Sequence, residues 1–202
     1  MKIAWGITGS GDRLAESIDL AKSLQKRYGL DIDIILSKAG EMVVTWYKLV
    51  GSLKQNFRVF IESTPNTPFL IGPLQLGKYD FLLICPATAN TTAKIAHGIA
   101  DSLLSNCVAQ AMKAGIPVFI FPVDQKAGKV ETLLPNKKKL TLYMRDVDLE
   151  NAEKLRHMNG IAVLSSPSEI ESAILEFSEE KKRKSMSIEK KKLSKTRDSS
   201  VR

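Results

Sequence analysis

The sequence predicts an α/β protein with a Rossmann-like, doubly wound, mostly parallel sheet and helices on both faces. Apolar runs of strand length alternate with segments of helical periodicity along most of the 202-residue chain. Residues 81–85 are an unbroken apolar run, which is typical of a strand buried on both faces. Gly29 and Gly115 stand directly after two helical segments, where glycine commonly ends a helix. Repeated strand–helix units of this length favour parallel strands joined by right-handed crossovers.

Each element follows from its local pattern. Strands are predicted where apolar and β-branched residues cluster in short runs, at residues 2–7, 31–36, 58–61, 79–85, 117–121 and 161–164. Helices are predicted where apolar residues recur every three or four positions, at residues 13–28, 41–50, 90–113, 148–158 and 167–177. The prolines and glycines of residues 63–77 predict an irregular connection. Residues 122–145 are expected to leave the sheet, with a turn at Pro135-Asn136 and a strand-like segment at 140–143.

Composition indicates one folded domain over residues 1–178, followed by a basic tail over residues 179–202. The chain carries a net charge of +8, and the tail contains ten Lys or Arg against four Asp or Glu. The tail has few apolar residues and no aromatic one, so it is expected to be disordered or weakly helical. Because the folded part is close to neutral, nucleic acid is not the expected partner.

Two further features of the sequence indicate the cellular compartment of the protein. No apolar run is long enough to span a membrane. Cys85 and Cys107 lie in apolar surroundings without a neighbouring cysteine or histidine, so we expect both to be buried packing residues in a reducing compartment. The sequence therefore predicts a cytoplasmic protein without a disulfide or a metal site.

Three loops that follow predicted strands carry residue types suited to ligand binding. They are the Gly-Ser-Gly run at residues 9–11, the Ser-Lys pair at residues 37–38, and the Pro-Ala-Thr-Ala-Asn-Thr run at residues 86–91. Ligands of doubly wound sheets bind outside the carboxyl ends of the strands, where these loops are expected to meet. The simpler alternative for the third loop is that Asn90 and Thr91 only cap the following helix.

The first two loops favour a mononucleotide over a dinucleotide. Residues 9–11 fit neither the dinucleotide fingerprint nor a Walker loop, but glycine and hydroxyl residues at a helix entrance suit a phosphate. Enzymes that bind NAD place an Asp or Glu after the second strand, whereas this chain has Ser37 and Lys38 there. A hydroxyl and a cation suit a terminal phosphate, so FMN fits better than NAD.

These motifs also carry a family resemblance. The chain resembles the flavoprotein superfamily of homo-oligomeric FMN-containing cysteine decarboxylases. The resemblance lies in the first two loops, in the run at residues 86–91, and in the Ala-Lys-Ile-Ala and Gly-Ile-Ala-Asp segments at 93–96 and 98–101. Residues 1–9, 122–125 and 155–161 are most similar to its branch of archaeoflavoproteins and dihydromethanopterin reductases (acceptor).

The resemblance implies a non-covalently bound FMN in a homo-oligomer. The FMN phosphate would bind at residues 9–11 and Ser37, and the isoalloxazine ring would lie against residues 88–91. Residues 122–125 would lie near the cofactor. The predicted FMN-binding residues are Gly9, Ser10, Gly11, Ser37, Lys38, Pro86, Ala87, Thr88, Ala89, Asn90, Thr91, Asp124 and Gln125. No catalytic residue is predicted, since the flavin itself would supply the chemistry.

The expected function is that of an FMN-dependent oxidoreductase, an electron-transfer protein or reductase. The resemblance implies ferredoxin or an iron–sulfur flavoprotein as the redox partner, and a pterin such as dihydromethanopterin as the acceptor. Decarboxylases of the superfamily use a histidine shortly before the strand that precedes the third loop. The corresponding residues 72–77 contain no histidine, which argues against decarboxylation. Two alternatives stay open, namely a flavin-dependent decarboxylase or prenyltransferase, and a non-enzymatic protein whose tail binds RNA or an acidic partner.

Overall fold

The computed structural model describes residues 1–181 and 183. Residues 1–167 form one compact unit, and a second unit begins at residue 168. The second unit contains a helix over residues 168–181, close to the helix predicted at 167–177. Apart from residues 179–181 and 183, the predicted basic tail lies outside the described residues.

A six-stranded parallel sheet forms the centre of the first unit. Its strands are β1 (Lys2–Ile7), β2 (Asp31–Leu36), β3 (Arg58–Ile61), β4 (Phe81–Ala87), β5 (Val118–Pro122) and β8 (Ile161–Val163). They lie in the order β3-β2-β1-β4-β5-β8, and each neighbouring pair is parallel. This confirms the predicted fold class. The strand order changes direction between β1 and β4, so the crevice for a ligand is expected at the carboxyl ends of these two strands.

The remaining two strands form a hairpin outside this sheet. Strands β6 (Lys129–Leu133) and β7 (Lys139–Tyr143) pair antiparallel with each other. The turn predicted at Pro135-Asn136 is confirmed, because the backbone N–H of Leu134 donates to the carbonyl oxygen of Lys138 at 2.9 Å. Strand β7 matches the predicted segment at 140–143, whereas β6 was not predicted.

Helices cover the sheet. They are α1 (Leu14–Tyr28), α2 (Lys38–Trp46), α3 (Val50–Asn56), α4 (Pro68–Gln75), α5 (Ala89–Ala96), α6 (Leu103–Lys113) and α7 (Asp146–Arg156). Helix α1 ends at Gly29 in the left-handed conformation, as predicted. Apolar side chains of α4 and α6 pack with β1, β4 and β5 in the core.

Two helix predictions and one loop prediction were wrong. The helix predicted at 90–113 is two helices, α5 and α6, because Gly98 takes a left-handed conformation (φ 71°) and Ser102 starts α6 with a capping box. The helix predicted at 41–50 begins earlier and ends at Trp46, before a left-handed Lys48 (φ 57°), and α3 follows over Val50–Asn56, where no separate helix was predicted. Residues 63–77 are not irregular throughout, because α4 begins with Pro68 in its first turn, where proline fits a helix.

A buried carboxylate stabilises the opposite end of the sheet. The Asp33 side chain is buried and accepts hydrogen bonds from the Arg58 guanidinium and, at 2.7 Å, from the Tyr79 hydroxyl, while the Lys2 ammonium lies 3.5 Å away. Burial alone would raise the pKa of Asp33, but these hydrogen bonds and charges outweigh it and lower the pKa. This cluster lies at the amino ends of the strands, away from the expected ligand crevice.

Candidate functional site

Thr8 joins the loops that follow β1 and β4. Its side chain is buried, and its hydroxyl donates to the carbonyl oxygen of Pro86 at 2.8 Å and accepts from the backbone N–H of Thr88 at 2.9 Å. The backbone N–H of Thr8 donates to the same Pro86 oxygen at 3.2 Å. One hydroxyl therefore holds the two loops together at the point where the strand order reverses.

Glycines allow the loop after β2 to pack against the loop after β1. A Cβ atom on Gly9 would lie 2.6 Å from the Cβ of Ala39, and one on Gly40 would overlap the carbonyl oxygen of Ile7. Any larger residue at either position would push the loops apart. The Ser37 hydroxyl caps α2 by accepting from the backbone N–H of Gly40 at 2.9 Å.

The third loop begins α5 with a cap that differs from the one considered from sequence. Thr88, not Asn90 or Thr91, is the N-cap, and its hydroxyl accepts from the backbone N–H of Thr91 at 3.3 Å. The Asp124 carboxylate accepts from the backbone N–H of Ala89 at 3.2 Å. An acidic side chain is favourable there because the amino end of a helix carries partial positive charge.

The loops after β1 and β4 line one side of a cavity with a volume of 340 Å³. One wall comes from α2, the opposite wall from the β6–β7 hairpin, and Val123 and Asp124 after β5 complete the side. The lining residues are Gly9, Ser10, Gly11, Asp12, Val43, Trp46, Tyr47, Thr88, Val123, Asp124, Val130, Thr132, Leu134, Pro135, Leu140 and Leu142. The walls are mostly apolar and aromatic and the side lined by the two loops is polar, a composition typical of a site for a planar ligand with a polar end.

Two contacts connect the hairpin to the rest of the site. The Tyr47 hydroxyl donates to the carbonyl oxygen of Leu133 at 2.7 Å, and the Thr132 side chain lies near enough to Asp12 to lower the pKa of its carboxyl. Gly11 makes room for the first contact, since a Cβ there would lie 2.5 Å from the Tyr47 hydroxyl oxygen. A two-stranded hairpin alone is marginally stable, so these contacts help to keep it over the cavity.

Burial changes the titration of three side chains at the cavity. It raises the pKa of Asp12, an effect that the Arg13 charge partly offsets. It also raises the pKa of Asp124, although the hydrogen bond from Ala89 acts in the other direction. Burial and the Asp12 charge raise the pKa of Tyr47, which therefore remains a hydrogen-bond donor at neutral pH.

The glycine loop also offers free donors. Among the residues that the structure describes, the backbone N–H groups of Ser10 and Gly11 donate to no protein acceptor. They precede the first turn of α1, and unpaired N–H groups at a helix entrance bind phosphate well. The residues present therefore fit a ligand that has a phosphate and an apolar planar part.

The structure brings only part of the predicted set to the cavity surface. Gly9, Ser10, Gly11, Thr88 and Asp124 line it. The other predicted residues lie behind or beside it: Ser37, Lys38, Pro86, Ala87, Ala89, Asn90, Thr91 and Gln125. Pro86 and Ala87 belong to β4 and not to the loop, and they are buried.

Several of these outlying residues have other contacts. The backbone N–H of Lys38 donates to Glu62 at 3.0 Å, while Asn90 is exposed. The Gln125 side chain donates to the carbonyl oxygens of Pro122 at 2.8 Å and Leu164 at 2.7 Å. It therefore fixes the loop after β5.

Sequence reasoning missed two groups of site residues. Thr8 stands between β1 and the Gly-Ser-Gly run at residues 9–11, and this place at the end of a strand is the signal that could have identified its hydroxyl. Tyr47 follows the helix that begins at Lys38, and the hairpin residues were placed only in an excursion of unknown position. No local pattern shows that a hairpin will fold back over a cavity.

The two cysteines take no part in the site. Both are buried and free, as predicted, and burial raises the pKa of the Cys85 thiol to about 12. Such thiols are unreactive at neutral pH. In the part of the chain that the structure describes, no helix is long and apolar enough to cross a membrane, and no cluster of three or more His, Cys, Asp or Glu could hold a metal ion.

Comparison with known proteins decides the family. The Flavoprotein family model matches residues 1–191. The chain belongs to the Flavoprotein family. This confirms the resemblance inferred from the loops at residues 9–11, 37–38 and 86–91.

Relatives of this flavoprotein include two from Methanocaldococcus jannaschii. One is an uncharacterized protein, 60% identical over 90% of this chain and 98% of the relative. The other is a dihydromethanopterin reductase (acceptor), 40% identical over 82% of this chain and 72% of the relative. The dihydromethanopterin reductase (acceptor) of Methanosarcina mazei is 31% identical over 84% of this chain and 97% of its own.

A solved structure of the same type is also similar. Burkholderia xenovorans DmrB in complex with FMN, described as a cubic protein cage for redox transfer, superposes with a TM-score of 0.74. It is 37% identical, and the alignment covers 87% of this flavoprotein and 93% of DmrB.

Proposed function

We propose that this flavoprotein binds FMN non-covalently in the cavity between the glycine loop and the hairpin, and acts as an FMN-dependent reductase. The observation that carries the proposal is the cavity itself, which combines free N–H donors at a helix entrance with apolar and aromatic walls at the switch point of the sheet. The binding of FMN by the similar DmrB supports it.

In this proposal each wall has a separate task. The backbone N–H groups of Ser10 and Gly11 hold the phosphate, with Ser37 near by at the start of α2. Val43 and Trp46 on one side and Leu142 on the other exclude water from the ring. FMN supplies one- and two-electron chemistry, and the protein supplies position and electrostatics.

Asp124 is the side chain that we expect to influence the ring. It lines the cavity, and burial raises its pKa, so its carboxylate is more easily protonated than an exposed one. Its hydrogen bond to Ala89 fixes its position at the amino end of α5. The other predicted residues of the third loop, Pro86–Thr91, support this end of the site without lining it, apart from Thr88.

The substrate and partners are proposed from the relatives. Identity of 40% to a dihydromethanopterin reductase supports a pterin such as dihydromethanopterin as the acceptor. We propose ferredoxin or an iron–sulfur flavoprotein as the donor, and the cytoplasm as the setting.

We also propose a homo-oligomer. Phe69 and Leu76, seven residues apart at α4, are 85% and 72% exposed, and apolar side chains this exposed suit a contact between copies. The description of DmrB as a cubic cage supports the same proposal.

The absorption spectrum of the purified protein tests the central claim. We expect a flavin spectrum, or its appearance after FMN is added, with one FMN per chain. Gly11→Ala should lower FMN occupancy, because its Cβ would displace Tyr47, whereas Gly51→Ala should not, since a Cβ at Gly51 meets no atom within 4 Å. A protein that stays colourless after FMN addition would contradict the proposal.

A second experiment tests the acceptor. The FMN-loaded protein is photoreduced and mixed with dihydromethanopterin in the absence of oxygen, and reoxidation of the flavin is followed. Reoxidation with formation of the reduced pterin is expected. Release of carbon dioxide from a cysteine-containing substrate, with no reaction toward the pterin, would favour the decarboxylase alternative instead.

A further inference from the structure

We propose that the outer face of the β6–β7 hairpin, together with its lysine-rich tip, is the docking surface for an acidic electron-carrier protein. We call this the hairpin surface; it consists of Lys129, Leu133, Lys137, Lys138, Lys139 and Tyr143. The inference rests on the proposed function, because it assigns a route by which electrons reach FMN in the cavity.

The two faces of the hairpin have different chemistry. Val130, Thr132, Leu140 and Leu142 line the cavity. Side chains alternate along a strand, so the intervening residues face outward. On that outer face, Lys129 is paired across the strands with Tyr143, and Leu133 with Lys139. The hairpin thus joins an apolar inner wall to a cationic outer surface.

Positive charge is concentrated on this segment. Residues 126–145 contain six Lys or Arg and one Glu, whereas residues 1–178 as a whole contain twenty Lys or Arg and eighteen Asp or Glu. The rest of the folded part is therefore slightly acidic. A cationic segment on such a body favours approach of an acidic partner in one orientation.

Few acidic side chains neutralise the tip. Glu131 pairs with Lys139 at 3.3 Å, and both side chains are exposed, so solvent screens this pair. Within the described part of the chain, Lys137 and Lys138 form no ion pair. Asp12 and Asp124 lie on the cavity side of the hairpin.

The hairpin surface also has an exposed apolar or aromatic side chain at each end of the paired strands. Leu133 beside Lys139 is 56% exposed, Tyr143 beside Lys129 is 70% exposed, and the Lys129 ammonium lies 5.3 Å from the centroid of the Tyr143 ring. Exposed aromatic side chains next to charged ones are common in protein–protein interfaces. A small-molecule reductant would need no such surface.

Position is the argument for a carrier of electrons. A protein bound to the outer face would be separated from the cavity by a single two-stranded layer, a distance of about 10 Å, the usual spacing of packed layers. Two one-electron carriers would be oxidised, and two protons taken from solvent, for each FMN reduced. We take the carrier to be the iron–sulfur donor proposed above, and the lysine-rich tip requires that its docking surface be acidic.

Direct binding tests the proposal independently of catalysis. The full chain is titrated with a purified acidic ferredoxin in oxidised form, by calorimetry and by stopped-flow mixing, at low and at high salt. The variant Lys137→Gln/Lys138→Gln/Lys139→Gln should slow association about tenfold at low salt, with a smaller effect at high salt. Tyr143→Ala should speed dissociation without altering the salt dependence.

A matched control removes the same charge elsewhere. Lys54→Gln/Lys78→Gln/Lys113→Gln changes three exposed lysines of α3, the loop after α4, and α6. It should bind ferredoxin almost as well as the parent protein. Both triple variants should retain FMN and be reduced by dithionite at the rate of the parent protein. Failure of the parent protein to bind FMN would count against the proposed function and not against the docking surface.

Four results would overturn the docking surface. They are unchanged association of the hairpin variant, equal slowing in the control variant, a changed oligomeric mass of the hairpin variant in light scattering, and hairpin-dependent retention of RNA without ferredoxin binding. The third would identify the hairpin surface as a contact between copies. The fourth would identify it as a nucleic-acid surface.

Discussion

Removing the Tyr47 hydroxyl should loosen the hairpin over the cavity without unfolding the protein. Tyr47→Phe deletes the donor to the Leu133 carbonyl oxygen, which lies 2.7 Å away, and leaves the aromatic ring in the cavity wall. The hydroxyl is a donor at neutral pH, because its pKa is raised by burial and by the Asp12 charge. The perturbation is therefore one hydrogen bond.

The magnitude follows from the value of that bond. An intramolecular hydrogen bond between neutral groups contributes about 1 kcal/mol to stability, which corresponds to a change of about fivefold in an equilibrium constant. The hairpin is hydrogen-bonded as a sheet only to itself, so this loss should appear as local opening of the hairpin. We expect about fivefold faster amide exchange in β6 and β7 and a similar rise in the rate of FMN release.

Hydrogen exchange followed by mass spectrometry measures the opening, and recovery of flavin fluorescence measures the release. Tyr143→Phe is the matched control, since the Tyr143 side chain is 70% exposed and should lose nothing. Gly11→Ala should produce at least the effect of Tyr47→Phe, because its Cβ would displace the same hydroxyl. Unchanged exchange in β6 and β7 of Tyr47→Phe would refute the reasoning, whatever the flavin does.

Three further predictions concern the loops and the sheet. Thr8→Val keeps the shape of the side chain but removes two hydrogen bonds, so urea unfolding should show a free energy of unfolding lower by about 2 kcal/mol, with an unchanged m-value. A decrease below about 0.5 kcal/mol would mean that the Thr8 hydroxyl is not needed to join the loops. Tyr79→Phe removes a hydrogen bond to the ionised Asp33 and should cost about 1.5–3 kcal/mol at pH 7. The pKa of Asp33 is lowered in the folded protein, so this stabilisation is complete above the ordinary pKa of about 3.9 and is lost as the pH falls through the pKa of the folded state. The difference in unfolding free energy between parent and variant should therefore shrink in acid. A constant difference would contradict the hydrogen bond between Tyr79 and ionised Asp33. Asn90 is exposed in the first turn of α5, two residues after the cavity residue Thr88, so Asn90→Leu should remove a polar group near FMN and weaken its retention with an unchanged circular dichroism spectrum. Equal flavin affinity would remove Asn90 from the site.

The sheet could be predicted closely because its strands are short apolar runs with clear ends. Strands β1, β2 and β3 lie at the predicted residues, and the others are shifted by one or two residues or shortened by one. Helix boundaries were predicted less accurately because apolar periodicity does not show where the helical backbone is interrupted. The division of residues 90–113 depends on a left-handed Gly98, and the division after α2 depends on a left-handed Lys48, a conformation that lysine rarely takes.

The loops of the candidate site could be proposed from the sequence, but most of its walls could not. The loops that begin at Gly9 and Thr88 follow adjacent strands, so the rules of doubly wound sheets bring them together. Residues such as Ser37 and Gln125 were predicted as ligand contacts but lie outside the cavity surface, where they cap a helix or hold a loop. A polar side chain in a loop can bind a ligand or the backbone, and its sequence context is the same in both cases.

By itself the sequence determined the fold class, the family, and the loop motifs that we propose as part of the FMN site, because each depends on residues close together in the chain. The tertiary structure decided which of those residues reach the cavity and added Tyr47 and the hairpin to its walls. It also separated the apolar inner face of the hairpin from its lysine-rich outer face. The physical reason is that cavities and surfaces arise from contacts between distant segments, such as Tyr47 and Leu133, which no local pattern encodes.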